Sequence, residues 1–177
     1  SADFSAFGGT ITNFTFDADQ LGSTVTITGS AQTSDKVSAI YDSAATYTTN
    51  MTGVETFAVD LNAAAAVTAS LLNSTGVTTV EVTNGENQTL TIDKITDQTI
   101  NIKEMVSNAA NDIALVLADA TGSSDSINLK LGAAITAAAS QIVIEDVETI
   151  NIDVDNAFSA DFSLISMNEV GGEVAGP

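Results

Sequence analysis

The side chains of this sequence that could do chemistry are almost all carboxylates. Twenty-three Asp and Glu stand against four Lys, with no Arg, His or Cys, for a formal charge of −19. Lacking His and Cys, the chain has no imidazole base, no thiolate and no zinc set of the usual kind, and lacking Arg it has no bidentate phosphate clamp. Paired carboxylates can cleave glycosides, but such sites add aromatic platforms, and only Tyr41, Tyr47 and seven Phe are aromatic here. No enzymatic activity is expected. Carboxylates alone are well suited to hard cations, and calcium takes carboxylate and carbonyl oxygens. Spacing selects six aspartates. Asp17-Ala18-Asp19 and Asp153-Val154-Asp155 each place two carboxylates two residues apart. Asp35, in Ser34-Asp35-Lys36-Val37, and Asp125, in Ser124-Asp125-Ser126-Ile127, each end a turn as Asp-x-apolar. The calcium roll ends the same way in its repeat Gly-Gly-x-Gly-x-Asp-x-apolar, although most of the glycines are replaced here. The six are expected as metal ligands for Ca2+. The competing reading of each is a turn former whose carboxylate bonds nearby backbone.

The elements that must position these aspartates repeat. Val54-Glu55-Thr56-Phe57-Ala58-Val59-Asp60-Leu61 returns 93 residues later as Val147-Glu148-Thr149-Ile150-Asn151-Ile152-Asp153-Val154, with apolar side chains at alternate positions. That period of two predicts strands with one buried face. A second match, at an offset of 90, sets Val25-Thr26-Ile27 and Gly29 to Val37 on Leu115-Val116-Leu117 and Asp119 to Ile127, so that Ser34-Asp35 falls on Ser124-Asp125. Two tandem repeats, 1–86 and a truncated 87–177, with a small insertion between the matched blocks, account for both offsets. On this reading the chain is an internal fragment of a larger protein that continues beyond Pro177. Glu55 and Glu148 occur in both copies, and alternation points each away from the core, toward solvent or a neighbouring coil.

A finer beat runs within each copy: Val54-x-x-Phe57-x-Val59 recurs 23 residues on as Val77-x-x-Val80-x-Val82, about the length of one β-solenoid coil. Short alternating runs at Leu90-Thr91-Ile92, Ile100-Asn101-Ile102, Ile113 to Leu117, Ile127 to Leu131 and Ile142-Val143-Ile144 complete an all-β pattern. The expected fold is therefore an all-β, parallel β-solenoid-like body with short alanine-rich, helical insertions. The alternative is two tandem β-sandwiches, since a module of about 90 residues also suits an immunoglobulin-like domain. Asn62 to Asn73, with Ala63 to Ala66 and Leu71-Leu72, is expected to hold a short helix over 62–72 on propensity, against a reading in which the alanines face inward where a coil is narrow. Gly132 to Ser140 and Lys103 to Asn111 are open to either reading. Gly8-Gly9 reads as a simple turn.

Charge narrows the partners. A chain at −19 repels nucleic acid and anionic membrane surfaces, because binding them relies on Lys and Arg at phosphates. No apolar run is long enough to span a bilayer, so no membrane insertion is expected. Hydrophobic residues at 44% in periodic runs argue for a folded chain despite its acidity.

The Val-Glu-Thr-apolar-x-apolar strands at 54 and 147, Thr75-Gly76-Val77-Thr78-Thr79-Val80-Glu81-Val82, and the Gly29-Ser30 to Ser34-Asp35-Lys36-Val37 turn resemble bacterial surface-layer proteins. They are most similar to the Gram-negative kind exported by type I secretion. The resemblance implies a right-handed parallel β-solenoid with bound calcium and no catalytic site, placed outside the cell at the bacterial surface. It further implies homo-oligomeric lattice contacts and a cell-surface glycan bound through another region. The intact glycine-rich nonapeptides of that family are missing here. A stalk or extender module of a large secreted adhesin is the alternative function. An ice-binding surface, suggested by Thr24-x-Thr26-x-Thr28 and Thr89-x-Thr91, would need flat, regular ranks of Thr that two isolated runs do not supply.

Overall fold

In the computed structural model, the described residues are 1–6, 8–11, 13–85, 88–104, 112–121, 124–132, 141–154 and 165–168. They form sixteen strands and no helix. Every strand pair is parallel. Successive strands along the chain fall in different sheets, so the backbone winds as a β-solenoid of about six turns.

The largest sheet stacks β2 (Phe14–Phe16), β4 (Lys36–Tyr41), β7 (Thr56–Leu61), β9 (Thr79–Gly85), β11 (Thr99–Ile102), β13 (Ser126–Leu131) and β15 (Thr149–Val154) in that order. Opposite it lie β5 (Thr46–Thr48), β8 (Val67–Ser70), β10 (Leu90–Ile95), β12 (Asp112–Leu117), β14 (Gln141–Glu145) and β16 (Ile165–Asn168). A third sheet of β1 (Ala2–Asp3), β3 (Thr26–Thr28) and β6 (Asn50–Thr52) is confined to the N-terminal coils and ends in a single bridge from Thr52 to Thr75. Among the described residues, the early coils thus carry strands on three sides and the later ones on two. Parallel pairing throughout overturns the sandwich alternative, which is built from antiparallel sheets.

Alternation dictates the facing. In β4 the side chains of Val37, Ala39 and Tyr41 are buried while Lys36, Ser38 and Ile40 look outward. The ladder then stacks like on like: Val37, Phe57, Val80, Ile100, Leu129 and Ile152 form one column up the large sheet. Each fully buried aliphatic side chain in such a column contributes about 1.5–3 kcal/mol of transfer free energy, and this is what drives the coils together. Phe4, Phe14 and Phe16 meet edge to face at the first coil, with centroids 5.2 and 5.1 Å apart.

The column runs in steps of 23, 20, 29 and 23 residues from Phe57 to Ile152. The sequence match at 93 sets Phe57 on Ile150 instead. The slip is two residues, so the inward and outward faces are preserved. Both matched segments are strands of the same sheet, and the ladder passes from β9 to β11 without a break.

The helix expected over 62–72 does not form. Asn62 to Ala66 is a loop and Val67–Ser70 is β8, with Ala63 and Ala69 buried. Hydrogen bonding of β8 to β5 and β10 on both sides overrides the helical propensity of alanine, and its small side chain suits a narrow interior. Residues 105–111 and 133–140 lie outside the described residues.

Candidate functional site

The two repeated motifs meet at one place in the fold. Asp35 sits in the turn that leads into β4, and Glu55 occupies the equivalent turn one coil later. The Asp35 N–H donates to Glu55 Oε2 at 2.9 Å, and the Asp35 carbonyl accepts from Thr56 N–H at 2.9 Å. The second copy repeats the device: Asp125 N–H donates to Glu148 Oε2 at 2.8 Å, while its carbonyl accepts from Thr149 N–H at 3.0 Å. One coil is 20 residues here and the other 23, and this three-residue difference is the one between the offsets of 90 and 93. Glu55 and Glu148 therefore cap the turn of the coil beneath.

Asp35 is completely buried. Its Oδ1 accepts from Ile11 N–H at 2.7 Å and from the Ser30 hydroxyl at 2.9 Å, and its Oδ2 accepts from Ser30 N–H. Burial opposes its charge, but the donors of Ile11 and Ser30 outweigh that cost and hold the carboxyl below its ordinary range. Glycine is required beside it: a Cβ on Gly29 would lie 1.7 Å from the Gly53 carbonyl oxygen and 3.0 Å from Asp35 Oδ2. Thr28-Gly29, Thr52-Gly53 and Thr75-Gly76 stack on this edge at spacings of 24 and 23, and Gly53 and Gly76 have φ of +65° and +91°. This periodic Thr-Gly dipeptide is the sequence signal that would have located the corner.

The other aspartates are placed as follows. Asp19, itself at φ +66°, uses Oδ1 to accept from Asp42 N–H at 2.8 Å and Ser43 N–H at 3.2 Å, capping the turn of the next coil. Partial burial pushes its pKa up, and hydrogen bonds from Ser43, Tyr47 and Asp42 carry it below the usual value. Beside it Tyr47 stacks on Tyr41 at 4.2 Å, and desolvation together with the Asp19 charge pushes the Tyr47 phenol up to about 12. Asp17 is exposed in the same turn. Asp153 is exposed on β15 with Lys130 Nζ at 3.7 Å. Asp155 lies outside the described residues. The fold brings Asp17 and Asp19 to one turn but keeps Asp35, Asp125 and Asp153 on separate coils. Among the described residues, no three carboxylates converge as a group that could hold a metal ion.

Sequence reasoning missed one cluster. Glu81, nearly buried on the outer side of β9, receives Lys36 Nζ on Oε2 and Lys103 Nζ on Oε1, both at 2.6 Å. Desolvation raises its pKa, but the bonds from Lys103 and Lys36 more than reverse this and lower it. Lys36 reaches Glu81 across Ala58, whose small side chain leaves the path open. No spacing rule reveals a contact 45 residues apart.

No protein-family model matches the sequence, and neither a curated protein nor a solved structure is similar enough to count as a match.

Proposed function

We propose that this chain is a structural part of a secreted bacterial cell-surface protein that self-assembles into an S-layer lattice with the help of calcium. The observation that carries this reading is the use made of acidic side chains to hold one coil to the next. Asp19, Glu55 and Glu148 each spend a carboxylate on the backbone of an adjacent coil. Side chains spent in this way hold a shape. A body that repeats one unit along an axis presents similar surfaces at regular intervals, and a contact that repeats without closing builds sheets or filaments. A formal charge of −19 opposes such contacts until divalent ions bridge carboxylates between copies. This supports calcium as the assembly cofactor and the extracellular face of the cell, where calcium is plentiful, as the location.

Size-exclusion chromatography with negative-stain microscopy across a calcium titration tests the reading. Oligomers or ordered arrays that appear with calcium and dissolve on chelation are expected. A strictly monomeric protein at high concentration and saturating calcium would move the assignment to an adhesin stalk, for which a stack of coils is also suited.

A further inference from the structure

The tripeptide Asn-x-Ser/Thr occurs four times, at Asn13-Phe14-Thr15, Asn50-Met51-Thr52, Asn73-Ser74-Thr75 and Asn87-Gln88-Thr89. It is the acceptor pattern for attaching a sugar to the asparagine amide nitrogen. That nitrogen is a weak nucleophile, because its lone pair is delocalised into the carbonyl, and a transferase activates it while also holding the hydroxyl two residues on. Both side chains must therefore be free of the fold. In a chain rich in Asn, Ser and Thr the tripeptide arises readily by composition, so the fold has to choose among the four.

Among the described residues, the fold leaves both groups free at one of them. Asn13 accepts from the Ser38 hydroxyl at 2.8 Å, and Phe14 and Thr15 lie in β2, where Phe14 packs between Phe4 and Phe16. Asn50 lies in β6 and donates Nδ2 to the Ser23 carbonyl at 2.6 Å, beside a fully buried Met51. Asn87 lies outside the described residues. Asn73 instead stands at the tip of a tight turn, closed by the Ser74 N–H on the Leu71 carbonyl at 2.8 Å. The middle residue of its tripeptide is tied to the fold, since the Ser74 hydroxyl donates to the Thr49 carbonyl at 2.9 Å. Asn73 and Thr75 on either side are both exposed, and neither side chain makes a hydrogen bond among the described residues. Thr75 is held through its backbone alone, donating to the Met51 carbonyl at 2.8 Å and accepting from the Gly53 N–H at 3.1 Å.

There is room beside the turn for what would be attached. A shallow groove of about 310 Å3 adjoins it, lined in part by Leu72, Ser74, Lys94, Thr96 and Gln98. Leu72 is 62% exposed, the most of any large hydrophobic side chain among the described residues. A pyranose ring has an apolar face of C–H groups and a rim of hydroxyls. Laid in this groove it would cover Leu72 and meet the polar ends of Lys94 and Thr96.

We infer that Asn73 is an N-glycosylation site whose first sugar packs against Leu72. In the transfer, Asn73 Nδ2 attacks C1 of a phosphate-activated glycosyl donor. The C1–N bond forms as the C1–O bond breaks, the phosphate leaves with the electron pair, and one amide proton passes to a base of the cell's transferase. The inference rests on the cell-surface placement proposed above and is independent of lattice formation.

Peptide mapping by mass spectrometry, on the protein isolated from the cells that make it, tests the site. A sugar mass on the peptide that carries Asn73 is expected. Thr75→Ala, which keeps the backbone bonds of the corner, should lower occupancy of Asn73 by at least about ten-fold, and Thr75→Ser should keep it within about two-fold of wild type, since an enzyme that binds the hydroxyl rejects an acceptor lacking it. Nuclear Overhauser contacts from the first sugar to the Leu72 methyl groups are expected in the glycosylated protein, and their absence would overturn the packing. Asn73 recovered bare, or a sugar on Asn13 or Asn50 in its place, would overturn the site. Protease treatment of intact cells separates this from the reading it rests on. A chain cut at the surface with Asn73 bare ends the inference and leaves the surface reading standing, whereas a chain protected inside the cell with Asn73 bare ends both.

Discussion

At the scale of single residues, the aspartates divide by what accepts their charge. Asp35 has no exposure to water, and all its donors come from the protein. Replacing it with Ala strands the Ile11 and Ser30 N–H groups, and each unsatisfied buried donor costs about 1–3 kcal/mol. Asp35→Ala should therefore lose about 2–4 kcal/mol in urea unfolding, and Asp17→Ala, at an exposed turn, should stay within about 0.5 kcal/mol of wild type. Equal losses would mean that the buried network is not what stabilises the corner. The pH dependence has a definite sign. The folded pKa of Asp35 is lowered, so its ionised form stabilises the fold at any pH above the unfolded value of about 3.9. That contribution is lost as pH falls through this value toward the depressed folded one. The stability gap between wild type and Asp35→Asn should be constant from pH 7 to about pH 5 and should narrow from about pH 4 downward. A gap that stays constant to pH 2 would show that the charge contributes nothing.

At the scale of elements, the coil depends on how closely its corners approach. A Cβ at Gly29 would meet the Gly53 carbonyl at 1.7 Å, so Gly29→Ala must push two coils apart. A loss of about 2–4 kcal/mol is expected. Gly53→Ala meets no atom within 4 Å, and only its φ of +65° is at issue. It should cost about 1 kcal/mol. Urea melts of the two variants check the order, and a reversal would show that backbone conformation outweighs packing at this corner. The strands were legible because alternation is a local property: Val54 to Leu61 states its own buried face, and the 23-residue beat from Val54 to Val77 places the next coil above it. What was not legible depends on neighbours. Ala63 to Ala66 favours a helix until flanking strands supply hydrogen bonds to β8. The pairing of Lys36 with Glu81 requires knowing that Ala58 lies between them. Glu55 was visible as a repeated outward residue, and its partner Asp35 was visible separately as a turn. Joining them took the ladder register, which steps by 20 residues in one coil and 23 in another.

For the molecule as a whole, the question is what offsets a charge of −19 on a stack of seven strands about 4.8 Å apart. All four lysines already have a carboxylate within 4 Å, so the remaining repulsion must be relieved from solution. Any salt relieves part of it, because the screening length is about 8 Å at 0.15 M ionic strength, shorter than the stack. Adding millimolar calcium to that solution hardly changes the screening, and a further gain in stability must come from ions bound to the folded chain in preference to the unfolded one. At a free concentration about 100 times the dissociation constant such binding adds about 2.7 kcal/mol, which for a chain of this size raises the melting temperature by about 5–10 °C. We therefore expect calcium to raise the melting temperature at fixed ionic strength, EDTA to reverse the effect, and matched sodium to do much less. The same scan on Asp17→Asn/Asp19→Asn tests whether the turn that holds these two candidate aspartates contributes, since removing ligands should reduce the calcium shift while leaving the sodium response nearly unchanged. Melting curves that coincide in calcium and EDTA at fixed ionic strength would remove calcium as a cofactor of this chain.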